Sequence, residues 1–298
     1  MASLKDLKTR INSVKSTQKI TAAMKMVAAA KLRRAQESAE AGRPYASRMR
    51  GVISSLAAKA NTSSAPALLV GNGKSATHLL IAISADRGLC GGFNGSITRQ
   101  TRNEVVRLKA EGKTVKLLMV GRKSADALRR EFGDIYTDRI EGMQGTAVAY
   151  ADVAELADKV NTGFAAGEFD VCSMIYNKFI NAITQEMNIT QLIPVVIDAD
   201  ASASADASAD AGLVVAYDYE PEEEELLASL LPRGLATQMY SALLESSAAE
   251  LAARMTAMDN ATRNAGDLID RLTLVYNRTR QATITNELIE IISGAEAV

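Results

Sequence analysis

Two short glycine-rich segments carry the residue types closest to a reactive or ligand-holding site. Gly71-Asn72-Gly73-Lys74-Ser75 ends like a phosphate loop, in which backbone amides and a lysine cradle phosphates. That pattern needs a glycine five positions before Gly73, and Leu68 stands there instead. Asp86-Arg87-Gly88-Leu89-Cys90-Gly91-Gly92 follows an apolar, strand-like run and precedes a helical pattern. A turn so placed can present N–H groups to a phosphate, but its glycine spacing departs from the dinucleotide fingerprint. A tight structural turn or a protein contact fits these residues better than a cofactor site. His78 is the single histidine, so no serine or cysteine triad can be assembled around a choice of bases. Cys90 and Cys172 are the only cysteines, too far apart and too few for a disulfide framework or a metal cluster. No catalytic, cofactor-binding or metal-binding residue is assigned.

The elements that would position these segments divide the chain into a compact middle and two long ends. Apolar residues recur at three- and four-residue steps from Leu4 to Leu56 and from Leu235 to Ser293, with few breakers. The second stretch would extend about 90 Å as a helix. A helix of that length leaving a small domain needs a partner helix or a surrounding protein to cover its apolar side. Both helices leaving one domain must run antiparallel. In the first, Leu4, Leu7, Ile11 and Val14 mark a heptad seam, which Ile20, Met24 and Val27 resume after a phase slip. In the second, Leu251, Met255, Met258, Thr262, Ala265, Ile269, Leu272 and Tyr276 alternate steps of four and three. Leu268, Val275 and Ala282 form a stripe beside that seam, predicting contact on more than one side. Arg43-Pro44 and Gly51 are candidate bends, and Pro232 and Gly234 mark a break before the final helix.

Between the ends, strand-like runs at 79–84, 115–120, 135–140 and 171–176 alternate with helical patterns near 97–108, 124–132 and 147–165. That alternation implies parallel pairing with helices on the faces of the sheet. The run 187–197 reads as one more strand, at an edge because Pro194 interrupts it. Residues Asp198 to Gly212 are a low-complexity run of alanine, serine and aspartate, read as a mobile loop. The fold class is therefore α/β: an antiparallel coiled coil of the terminal helices plus a central Rossmann-like domain. The organisation is 1–60 N-terminal helix, 74–198 central domain, 199–220 acidic loop and connection, and 221–298 C-terminal helical region.

Composition supports slender helix pairs: the chain is 47% hydrophobic but only 4% aromatic, without tryptophan. A net charge of −1 hides an asymmetry, since residues 1–50 carry twelve Lys and Arg against Asp6, Glu37 and Glu40. Such a stretch is either a solvated helix face or a contact for an acidic partner or lipid surface. Nucleic acid is disfavoured, because stacking aromatics are missing there. No run approaches the about 20 apolar residues that a membrane span needs. The basic, serine-containing N-terminus runs unbroken into the long helix and is read as mature protein rather than a transit peptide. Near the C-terminus, Gln281, Thr285 and Glu287 can offer hydrogen bonds to a surrounding protein while Ile284 and Leu288 pack.

Three stretches are recognisable. Ser13-Val14-Lys15-Ser16-Thr17-Gln18-Lys19-Ile20-Thr21 with Ala23-Met24-Lys25-Met26-Val27-Ala28-Ala29, then Asp86 to Gly92, then Arg280-Gln281-Ala282-Thr283-Ile284-Thr285 with Ile292-Ser293-Gly294-Ala295, resemble the γ subunits of F-type ATP synthases. The resemblance spans essentially the whole chain. It implies the central shaft of a rotary motor, inserted in a ring of alternating alpha and beta subunits and seated through its α/β domain toward the epsilon subunit and the c-ring. It implies ATP synthesis or hydrolysis coupled to proton flow, with nucleotide sites in the surrounding subunits and no cofactor in this chain. It also implies that Met24 and Arg254 meet the catalytic ring, that Gln281, Thr285 and Glu287 make coupling contacts, and that Lys25, Lys31, Arg33 and Arg34 face acidic loops. The 198–212 region lacks the cysteines of the plastid redox insertion, which favours a bacterial-type subunit on the cytoplasmic face of the inner membrane over the mitochondrial matrix side. The competing reading is a nucleotide-dependent α/β enzyme with a coiled-coil dimerisation stalk.

Overall fold

The computed structural model describes residues 3–59, 66–143, 148–196 and 223–296. The elements are α1 (Leu4–Lys59), α2 (Ala67–Val70), β1 (Thr77–Ile83), α3 (Phe93–Ala110), β2 (Thr114–Val120), α4 (Arg122–Phe132), β3 (Tyr136–Ile140), α5 (Tyr150–Ala165), β4 (Val171–Phe179), β5 (Gln185–Ile193) and α6 (Glu223–Glu296). They form two compact units, one of Met1–Ala30 with Arg254–Val298 and one of Lys31–Ala253, so both long helices contribute to each. The predicted loop at 198–212 and the connection to 220 lie outside the described residues, as does Ala147 of the predicted helix 147–165.

The first unit is a helix pair. Lys25 meets Asp259 at 2.6 Å, and Thr262 donates to Thr21 across 2.8 Å. Contacts that move down one helix as they move up the other define an antiparallel pair, as expected. The same register sets Leu7 opposite Tyr276, Ile11 opposite Leu272 and Val14 opposite Ile269, where Leu7 and Ile11 are buried. The predicted phase slip does not occur. The heptad runs on through Gln18, Thr21, Lys25 and Ala28, while Ile20 and Val27 are 60% and 58% exposed. Polar side chains simply occupy seam positions, so reading hydrophobicity alone shifted the phase. The second stripe, Leu268 and Val275, is likewise exposed within this unit.

The second unit is built on a five-stranded sheet of order β3-β2-β1-β4-β5, parallel except for β5, which runs antiparallel to β4 at one edge. Central β1 is buried on both faces, as parallel strands under helices must be. Leu79, Ile81 and Ile83 pack with Val153, Leu156 and Val160 of α5 and with Leu235, Met239 and Leu243 of α6. Leu80 and Ala82 face the opposite way, against Ile97, Val105 and Leu108 of α3 and Leu128 of α4. Each such aliphatic side chain stabilises the fold by about 1.5–3 kcal/mol when fully buried. The strand predicted over 187–197 stops at Ile193, before Pro194.

The predicted break at Pro232 and Gly234 is overturned, because α6 runs through both. An interior proline costs about 3 kcal/mol, but Leu227, Leu231 and Leu235 are buried on either side and their combined burial exceeds that. Gly234 is needed for approach rather than termination: a Cβ there would lie 2.4 Å from Ile53 Cδ1 of α1. Pro44 is likewise inside α1, which continues past it and past Gly51.

Candidate functional site

The phosphate-loop-like segment sits at the wrong end of a strand. Gly71 to Ser75 enters β1, whereas a phosphate loop must leave a strand and open a helix. Its fastening is internal. Asp170, just before β4, accepts from Asn72 Nδ2 at 2.6 Å and from the Ala76 and Thr77 amides at 2.9 Å each. Those donors, led by the Thr77 amide and Asn72, hold the carboxyl below its ordinary value. His78 takes up its predicted place at the entry of β1, where burial lowers its pKa.

Asp86 to Gly92 lies at the carboxyl end of β1, beside the point where the strand order reverses, which is where open α/β sheets usually hold a ligand. Here the chain's own polar groups take the positions a phosphate would use. Asp86 Oδ1 accepts from the Arg122 amide, the first of α4, at 3.1 Å, and Oδ2 accepts from the Gly142 amide at 3.0 Å. A carboxylate therefore occupies the positive end of α4. Asn94 accepts from the Ala85 amide at 2.9 Å and donates to Cys90 Sγ at 3.1 Å. Ser84 Oγ accepts from the Ser124 amide at 3.2 Å. Gly121 has φ +98°, and a Cβ there would fall 1.8 Å from the Ser84 carbonyl oxygen. What remains outside is a rim: Arg87 and Leu89 are exposed, with Leu89 at φ 66°. Holding a leucine in the left-handed region costs about 1–2 kcal/mol, and the hydrogen bonds beneath it offset that strain. Cys90 and Cys172 are both buried, and burial pushes the Cys172 thiol well up.

The remaining predicted site residues lie on the helix pair. Met24 and Lys25 are half-buried neighbours on α1, and Lys25 is engaged by Asp259. Arg254 is half-buried on α6, about 7.5 Å along the axis from Asp259. Gln281, Thr285 and Glu287 are all exposed, the Thr285 hydroxyl donating to the Gln281 carbonyl at 2.9 Å. In the register fixed by Thr21 and Thr262, Leu4 stands opposite Thr279, so α6 beyond that point outruns the described start of α1. Ile284, Leu288, Ile289, Ile291 and Ile292 are accordingly 50–69% exposed. Sequence reasoning missed Asp259, and it placed Thr262 on the seam without its hydrogen bond to Thr21. The signal was available in part, since Asp259 lies four residues before Arg263 and pairs with it.

A family model described as ATP synthase matches residues 3–298. The chain is 55% identical, over the full length of both sequences, to the ATP synthase gamma chains of Gluconacetobacter diazotrophicus and Rhodospirillum rubrum. Among solved structures it resembles a chain of the central stalk and c-ring of the Tetrahymena thermophila mitochondrial ATP synthase, with TM-score 0.58 and 33% identity over 81% of this chain and 99% of that one. A chain from the Euglena gracilis mitochondrial ATP synthase, in rotational state 3, shares the fold with TM-score 0.68 at 21% identity, covering 99% of this chain and 94% of that one.

Proposed function

Because the chain belongs to the ATP synthase gamma-chain family, we propose that it is the central rotor shaft that couples proton flow through the membrane ring to ATP synthesis or hydrolysis in the catalytic subunits. The observation that carries this reading is the far end of α6, a single helix with five exposed isoleucine and leucine side chains between Ile284 and Ile292. Isolated in water such a helix is marginal, so a surrounding protein must supply its cover.

The alpha and beta subunits form that cover, and the second unit seats the shaft toward the epsilon subunit and the c-ring. Met24, Lys25 and Arg254 contact the ring at the end of the helix pair away from the α6 tip. Gln281, Thr285 and Glu287 contact it near the tip. Lysine has three donors, so the Lys25 ammonium can keep Asp259 and still reach outward. The Asp86 to Gly92 turn presents Arg87 and Leu89 as a further protein contact. Because the shaft differs around its circumference, each catalytic subunit meets a different set of contacts as it turns. Differential contact energy then shifts that subunit between states of unlike nucleotide affinity.

Chemistry at the nucleotide belongs to the neighbours. Asp86 occupying the α4 N-terminus supports this, and weighs against a nucleotide-dependent enzyme. The subunit is peripheral, on the cytoplasmic face of a bacterial inner membrane; among the described residues no helix is long and apolar enough to cross a membrane. Titration calorimetry of ATP into the purified chain tests the assignment: no heat of binding is expected, together with recovery of proton-coupled ATPase when the chain is added back to a complex lacking it. Tight ATP binding by the chain alone would reject it.

A further inference from the structure

We propose that Glu245 makes the junction of α6 with α1 and β4 a proton-sensitive joint, packed tightly when its carboxyl is neutral and loosened when it ionises. The residue is 9% exposed, on the stretch of α6 that packs against the sheet and α1. Its Oε2 is buried without a hydrogen-bond partner among the described residues. Its other oxygen, Oε1, stands 3.8 Å from Arg43 Nη2 of α1, an ion-pair distance too long for a hydrogen bond. Arg50, also on α1, and Lys178 on β4 add positive charge, while Tyr176 of β4 is the other titratable group facing it. Three cations from two elements thus converge on one carboxyl that none of them fully satisfies.

The neighbouring turn of α1 is built for close approach: Ala39 and Ala46 are buried, and a Cβ at Gly42 would touch Leu244 Cδ1 at 3.8 Å. Little room is left for water to solvate an ionised Oε2. Burial accordingly raises the Glu245 carboxyl above its ordinary value, against the opposing pull of Arg43, Lys178 and Arg50. For a group raised in the folded state, the stabilisation is complete below the unfolded pKa and is lost as pH rises through the folded one. Acidification therefore tightens the joint, and alkalinisation opens it to water or draws Arg43 inward.

The test compares thermal unfolding and amide exchange of the full chain with those of Glu245→Gln and Arg43→Gln, from about pH 4 to about pH 8. The parent and the glutamine variant should melt together at the acid end. The variant should then melt about 3 °C higher as pH rises, with slower exchange at residues 39–46. Arg43→Gln, compared with the Glu245→Gln and Arg43→Gln double variant, should make that divergence larger and carry its growth on to higher pH, because burial is then less opposed. A constant offset at every pH, a glutamine variant that melts below the parent throughout, or a divergence that Arg43→Gln leaves in place would overturn the proposal.

Discussion

Lys25 Nζ lies 2.6 Å from Asp259 Oδ1, joining α1 to α6 at a level where the seam is polar rather than apolar. Thr21 and Thr262 stand one turn away, and Arg263 also bonds Asp259. The hydrogen bonds from Lys25 and Arg263 lower the Asp259 pKa. A depressed carboxyl contributes stability above its unfolded pKa and loses it as pH falls through the folded value. Lys25→Ala and Asp259→Ala should therefore destabilise the helix pair less than additively in a double-mutant cycle. The coupling should shrink in high salt and vanish in acid, as followed by helix unfolding.

Gly121→Ala should be the most damaging methyl group among the glycines whose surroundings are described. Its Cβ would fall 1.8 Å from the Ser84 carbonyl oxygen in a left-handed backbone, so the β2 to α4 turn must move. A loss on the order of 3–5 kcal/mol is expected in denaturant unfolding, against about 1–2 kcal/mol for Gly112→Ala, which meets no atom within 4 Å and pays only for its left-handed backbone at φ +76°.

Asp170→Ala should release the loop of Gly71 to Lys74 and leave the Ala76 and Thr77 amides without their acceptor. The cost should be about 1–3 kcal/mol at neutral pH. It should diminish in acid, because a depressed carboxyl stops contributing once it is protonated in the parent as well. Urea midpoints of parent and variant at several pH values check both parts.

Removing residues 281–298 should leave the second unit's melting temperature within about 2 °C of the parent, because the described side chains from Gln281 to Ser293 are almost all exposed. Assembly or torque coupling should fall much further. Equal loss of both would show that the tip of α6 stabilises this chain rather than its contacts.

The architecture was legible because it rests on long-range periodicity. Seam residues of α6 from Met258 to Tyr276, the buried runs of β1 and β2, and the edge position of β5 all follow from spacing and apolar content. What spacing could not show was tertiary. Gln18, Thr21 and Lys25 hold seam positions without being apolar, so the heptad seemed to slip where it does not. Pro232 and Gly234 look like punctuation locally, yet one is outweighed by flanking leucines and the other admits Ile53. At the site, Asp86 was placed in the right turn, but its bond to the α4 amide joins residues 36 apart and has no local signature. Asp170 and Asn72 are linked across a still longer separation, and Asp170 was passed over for the same reason.

The central claim is that this chain turns as a unit to transmit work while doing no chemistry itself. A fluorescent or gold probe fixed to a cysteine introduced at exposed Ile183, in a complex held down through its catalytic ring, measures that motion directly during ATP hydrolysis. The account predicts stepwise rotation in one sense, arrested when a disulfide ties α6 to the ring, with ATP turnover arrested alongside it. Sustained hydrolysis with the probe stationary, or undiminished turnover after the shaft is tethered, would contradict it.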